Sequence, residues 1–189
     1  QQWEQSLANM NNGEVYISYA WGGESEKIVD ELDKAFQAQD VIIVRDKRDL
    51  GYKGRIKSFM ETIGLGKAVI LVISEKYLKS ENCMFELLQV AKNGEFTDRI
   101  FPLVLEDARI YKAIDRIRYV EHWEKQLKEL DAAMKGVSAA NMDGFREDID
   151  LYDEIRDNLP RLSDILKDMN TLTPELHRQS DFKELFDAV

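Results

Sequence analysis

The sequence predicts an α/β fold: a five-stranded parallel sheet in the flavodoxin-like order 2-1-3-4-5, flanked by helices and followed by a helical C-terminal extension. Three observations carry this. Short β-rich runs alternate with segments of 3.6-residue apolar periodicity, the pattern of strands joined by crossover helices. The run Ala68-Val69-Ile70-Leu71-Val72-Ile73 is apolar throughout, as strands covered on both faces are. Five such strands suit the flavodoxin-like order better than a full dinucleotide-binding Rossmann sheet.

Taken in order, residues 1–13 end in Asn11-Asn12-Gly13 and read as a linker or the tail of an upstream element. Glu14-Val15-Tyr16-Ile17-Ser18-Tyr19 is the first strand, broken by Ala20-Trp21-Gly22-Gly23. Helical spacing follows through Ile28, Val29, Leu32, Ala35 and Phe36 to about Asp40. Val41 to Val44 is the second strand, apolar and so expected to be covered on both faces. A basic loop leads to a helix from about Arg55 to Ile63, stopped by Gly64-Leu65-Gly66. After the third strand, Ser80 is placed to cap a helix running to Asn93-Gly94. Arg99 to Leu105 is the fourth strand, with Pro102 marking an edge or bulge. A short helix near Ile110 to Ile114 and a fifth strand from Ile117 to Glu121 complete the α/β core, residues 14–121.

Residues 122–189 are charged and helical. Trp123, Leu127, Leu130 and Met134 form one stripe, ending at Gly136. Phe145 to Met169 carries a longer stripe in which Pro160 predicts a kink or two helices in line. Phe182, Leu185 and Phe186 suggest a last helix returning to the sheet.

The flavodoxin-like order places a crevice outside the carboxyl ends of strands one and three. The loop holding Trp21 and the helix holding Glu86 converge there. Along that helix Cys83, Leu87, Val90 and Ala91 mark the buried face, and Glu86 falls about 60° from its centre. A carboxylate at that border is partly desolvated yet within reach of a ligand.

Composition narrows the chemistry. With 189 residues and a formal net charge of −10, nucleic acid is not expected as a direct partner, since phosphate binding needs a basic footprint. The exception is local: Arg45, Lys47, Arg48, Lys53, Arg55 and Lys57 form a compact basic segment, suited to an anionic ligand or an acidic partner surface. No apolar run approaches the ~18 residues of a membrane span, so no membrane partner is expected. A single cysteine points to a reducing, cytoplasmic setting, and Cys83 reads as a small core residue. His122 and His177 with one distant cysteine give no metal-ligand spacing. Gly64-Leu65-Gly66-Lys67 lacks the phosphate-loop spacing and precedes a strand where a helix is needed. Phosphoacceptor chemistry needs acids where strands one and three end in Ser18-Tyr19 and Ile73-Ser74. No Ser-His-Asp set is suggested either.

Four features, in order, carry a resemblance: Val15-Tyr16-Ile17-Ser18-Tyr19, Val44-Arg45-Asp46 through Leu50 and Gly54, the strand ending in Ser74, and Ser80-x-x-Cys83-x-x-Glu86-Leu87. Together they resemble a Toll/interleukin receptor (TIR) domain of the bacterial NAD-consuming type. Many bacterial and plant members cleave NAD+ at the nicotinamide–ribose bond, giving ADP-ribose or a cyclised form. By position the resemblance makes Glu86 the catalytic glutamate. It sets Tyr19, Ala20 and Trp21 along the nucleotide site, with Ser80 beside them and Asp46 in the loop after strand two. Asn82 stands where active members often carry tryptophan, which leaves Trp21 as the ring for stacking. No cofactor is implied, NAD+ being the substrate. The family works as an assembly, so Arg45, Lys47, Arg48 and Lys53 are expected to form a loop that completes a neighbouring copy's site. A sensor domain or partner upstream or downstream would supply the trigger, in an anti-phage or stress response. The rival reading is a non-catalytic adaptor built from the same surfaces; a third is a sensor that binds an NAD-derived nucleotide without turnover.

Overall fold

The computed structural model describes residues 15–45, 55–138, 142–169 and 171–189. Among them the sheet has four parallel strands in the order β2-β1-β3-β4: β1 (Val15–Tyr19), β2 (Ile43–Val44), β3 (Ala68–Ile73) and β4 (Ile100–Val104). These are the first four strands of the expected order. The expected fifth, Ile117 to Glu121, is instead part of a long helix, because Tyr119 and Trp123, one turn apart, share the buried face. A strand would have set Ile117 beside Tyr119, yet Ile117 is exposed. Pro102 lies on the edge strand β4, where a missing N–H is tolerated. β2 is shorter than expected and covered only in part, since Ile42 just before it is exposed.

Helices cover both faces. On one face α1 (Gly23–Gln37) and the C-terminal α9 (Lys183–Ala188) bury Ile28, Phe36 and Leu185 against Ile17, Ile70 and Val72. Phe36 and Phe186 meet edge to face at 5.4 Å, so the last helix does return to the sheet. The other face carries α2 (Ile56–Gly64), α3 (Glu75–Leu78), α4 (Glu81–Lys92) and the hairpin of α6 (Ala113–Lys135) and α7 (Asp143–Asp168). The short α5 (Phe96–Arg99) and α8 (Pro174–Gln179) complete the chain. α7 runs on through Pro160, so the two-helix alternative does not hold. Pro160 is exposed, where water can serve the carbonyl its ring leaves without a partner.

Two close contacts place α4. A Cβ on Gly64 would lie 2.6 Å from Gln89 Cβ and 3.0 Å from the Gln89 carbonyl carbon, so α2 and α4 approach through a glycine. Gly64→Ala is expected to cost about 1–3 kcal/mol, read as a lower urea midpoint at unchanged slope. Arg99 holds the far ends of both helices: its Nη1 donates to the carbonyls of Gly64 (3.0 Å) and Gly66 (2.8 Å), its Nε to that of Gly94 (2.9 Å), and Nη2 to that of Val90. Those carbonyls have no later turn to pair with, and one guanidinium satisfies them.

The C-terminal helices bear a pH-sensitive contact. His177 is buried and stacked on Phe182, with its Nδ1 lacking a hydrogen-bond partner among the described residues. Burial holds its pKa below the usual histidine value, against a weaker opposite pull from Glu184. The folded state therefore resists a proton that the unfolded chain accepts from about pH 6.5 downward. Stability conferred by His177 is full above that pH and is lost as the pH falls toward the depressed folded value. Thermal melts at descending pH should show this loss, and His177→Phe should flatten it.

Candidate functional site

β1 ends at Tyr19 and the chain turns at once, because Gly22 and Gly23 both take positive φ (87° and 62°). Glu26 Oε2 then accepts from the Gly22 N–H at 2.8 Å, fixing the start of α1. This tight exit leaves Tyr19, Ala20 and Trp21 at the carboxyl end of the sheet. Across from them, Ser74 caps α3 by accepting from the Tyr77 N–H at 3.0 Å. Ser80 caps α4 by accepting from the Cys83 N–H at 3.3 Å, as its sequence predicts. Two caps in seven residues set the first turns of α4 at the ends of β1 and β3.

A cavity of about 220 Å³ lies between them, lined by Tyr19, Ala20, Trp21, Ser80, Asn82 and Glu86. These are six of the residues singled out above. Ile56, Met60, Lys76 and Cys83 close the rest of the wall. Of the other predicted residues, Asp46, Lys47, Arg48 and Lys53 lie outside the described residues. An adjoining cavity of about 380 Å³ shares Ile56, Met60 and Asn82 and extends to Phe85 and Leu151. Two larger clefts, about 670 and 860 Å³, open near β4, α6 and α8. The carboxylates lining those are exposed or half-buried, and Arg178 there is already paired with Glu24 at 2.5 Å.

Glu86 is only 5% exposed, deeper than its place at the border of the helical stripe predicts. The stripe accounts for the sheet alone, whereas α2 covers a second side of α4. The carboxylate is supported from behind. Ser18, on the buried face of β1, donates to Glu86 Oε2, and Tyr77 Oη lies 2.8 Å from the same Ser18 hydroxyl. Tyr77 is fully buried, and its phenol pKa is driven far above normal by that burial, then by the charges of Cys83 and Glu86. Sequence reasoning gives neither residue a role beside Glu86. For Ser18 there is a signal, a hydroxyl on the face that Tyr16 and Ala20 give to the core; for Tyr77 there is none.

Trp21 is 44% exposed at the rim, and its carbonyl accepts from Lys76 Nζ at 2.6 Å. Arg45, the first residue of the basic segment, is turned inward. It is buried, with Nη1 on Asp30 at 2.7 Å, Nη2 on the Tyr19 hydroxyl at 3.0 Å, and Asp33 and Glu26 at 3.5 and 3.7 Å. Burial opposes its charge, but the bonds to Tyr19 and Asp30 more than offset this and its pKa rises. Acidic residues one turn apart on α1 draw it in. Arg45→Met would take the counter-charge from the buried Asp33 carboxylate and the donor from Asp30, and is expected to cost about 3 kcal/mol in urea unfolding.

No curated protein matches the chain. Residues 15–135 match the family described as TIR domain, from the first residue of β1 to the last of α6. That match takes in every residue lining the cavity around Glu86, and with the parallel sheet and its strand order it shows that the chain belongs to the TIR domain family.

Proposed function

We propose that this TIR domain is an NAD+ nucleosidase, cleaving the nicotinamide–ribose bond to give ADP-ribose or a cyclised product. The observation that supports this best is the buried Glu86 carboxylate on the wall of a cavity at the carboxyl ends of β1 and β3. The chemistry asks for one acid. Nicotinamide leaves neutral from a cationic ring, so no general acid is needed at the leaving group. What lowers the barrier is fixed negative charge beside the developing oxocarbenium ion, which water then captures to give ADP-ribose or a hydroxyl or ring nitrogen of the same nucleotide captures to give the cyclised form. Glu86 supplies that charge and an acceptor for the ribose hydroxyls. Trp21 stacks on a ring at the mouth, and Ser80 and Asn82 bound the ribose side. A cavity of about 220 Å³ takes one end of the dinucleotide, and the adjoining space past Asn82 leaves room for the remainder.

In this reading no cofactor takes part, Asp46 contributes to substrate binding, and the activity rises with TIR–TIR assembly through the basic segment of Arg45, Lys47, Arg48 and Lys53. A sensor domain or partner provides the trigger, in a cytoplasmic anti-phage response. Incubating dilute, concentrated and assembled protein with NAD+ and following nicotinamide by chromatography tests the proposal. Release that climbs steeply with protein concentration is expected. Assembly without release at any concentration would instead favour the adaptor.

A further inference from the structure

We propose that Ser18 and Tyr77 are positioning residues for Glu86: a directed chain of two hydroxyls that holds its carboxylate ionised and turned to the cavity. Ser18 has one proton, and it goes to Glu86 Oε2. The 2.8 Å contact to Tyr77 must then be donated by the phenol, so the chain runs from Tyr77 through Ser18 to Glu86. Protonating Glu86 Oε2 reverses it. The carboxyl would donate to Ser18, and either the Ser18 proton loses its acceptor or it turns to Tyr77 and the phenol proton loses its own, at a site with no exposure; a proton on Oε1 instead leaves Oε2 a neutral and weaker acceptor for the same chain. A buried donor without an acceptor is costly, so the chain favours the carboxylate over the acid.

The rest of the surroundings bear on the same proton. Among the described residues, the titratable and charged groups near the carboxylate are Tyr77 and Lys76 of α3, Cys83 one turn earlier on α4, and Tyr19 of β1 with Arg45 bonded to it. α2 contributes only Ile56 and Met60 to this wall. Lys76 sits on the open side, against the Trp21 carbonyl, whereas the hydroxyl chain reaches Glu86 from the sheet side. The two positioning residues come from separate elements, β1 and α3, so the carboxylate is fixed relative to the sheet and not only to its own helix.

The kinetic half of the test rests on the NAD+ cleavage proposed above; the spectroscopic half does not. In Ser18→Ala, kcat for NAD+ should fall about tenfold or more with KM within about twofold, since the carboxylate is misplaced and not removed. The acid limb of the kcat–pH profile should move up by about one pH unit. Ser18→Thr keeps the hydroxyl and should restore both. Tyr77→Phe should move both in the same direction by less, and it serves as the second variant should Ser18→Ala fold poorly. Independently, the Glu86 carboxyl titration, followed by carbon-13 NMR, should have its midpoint raised in Ser18→Ala and Tyr77→Phe. An unmoved midpoint in both variants would overturn the inference. Wild-type protein that releases no nicotinamide would defeat the proposed reaction, and the NMR midpoint would still decide the hydroxyl chain.

Discussion

Glu86→Gln is expected to lower NAD+ cleavage by about a hundred- to a thousandfold while leaving the fold in place. The side chains are isosteric, and the glutamine carbonyl can accept from Ser18 as Oε2 does. The buried hydroxyl pair therefore keeps an acceptor, and the change in stability should stay within about 1–2 kcal/mol. What disappears is the charge. A preorganised group facing the charge that develops in a transition state is worth about 3–4 kcal/mol, or two to three decades in rate. Here the lost interaction is between full charges, one of them the buried Glu86 carboxylate, so the effect belongs in that range. Nicotinamide release measured beside a thermal melt separates the two effects. A variant that melts within a few degrees of wild type and still turns over NAD+ at the wild-type rate would remove Glu86 from the mechanism.

Much of this site was legible in the sequence because its parts obey local rules. Ser80 announces a cap, Gly22-Gly23 a turn, and the strand order puts the loop after Tyr19 and the helix bearing Glu86 at the carboxyl ends of the same two central strands. The fifth strand misled because Ile117-Arg118-Tyr119-Val120 alternates as a strand does. Only the next turn, with Trp123 buried beneath Tyr119, reveals the helical period. The burial of Arg45 is not legible for another reason. Its basic neighbours along the chain suggest a solvated loop, whereas the groups that bury it, Asp30, Asp33 and Glu26, lie on a different element. The pairing of Ser18 with Tyr77 spans 59 residues, and no local pattern encodes it. The Arg99 clamp is of the same kind. Its acceptors are backbone carbonyls, which carry no residue signature at all.

Trp123→Ala is expected to be the most destabilising single change outside the site, at about 4 kcal/mol. Trp123 is 1% exposed, and truncating a buried tryptophan costs about 3–5 kcal/mol through lost burial and the cavity left behind. Its Nε1 also donates to the Leu78 carbonyl at 2.9 Å, which would lose its partner at the end of α3. The consequence should reach α4. Trp123 packs on Tyr152 at 5.5 Å, and Tyr152 in turn donates to Glu81 in the first turn of the helix that carries Glu86. The α6–α7 hairpin thus grips the segment from Leu78 to Glu81, and α7 lies beyond the region that matches the family. Hydrogen exchange is the discriminating measurement. In Trp123→Ala, amides over Cys83 to Phe85 should exchange faster than those of β1 and β3 after the global loss is allowed for. Trp123→Phe should recover part of the packing but not the bond to Leu78, so it should fall between the two. A uniform change across the sheet and α4 would mean that the hairpin supports the domain as a whole and has no particular hold on the helix bearing Glu86.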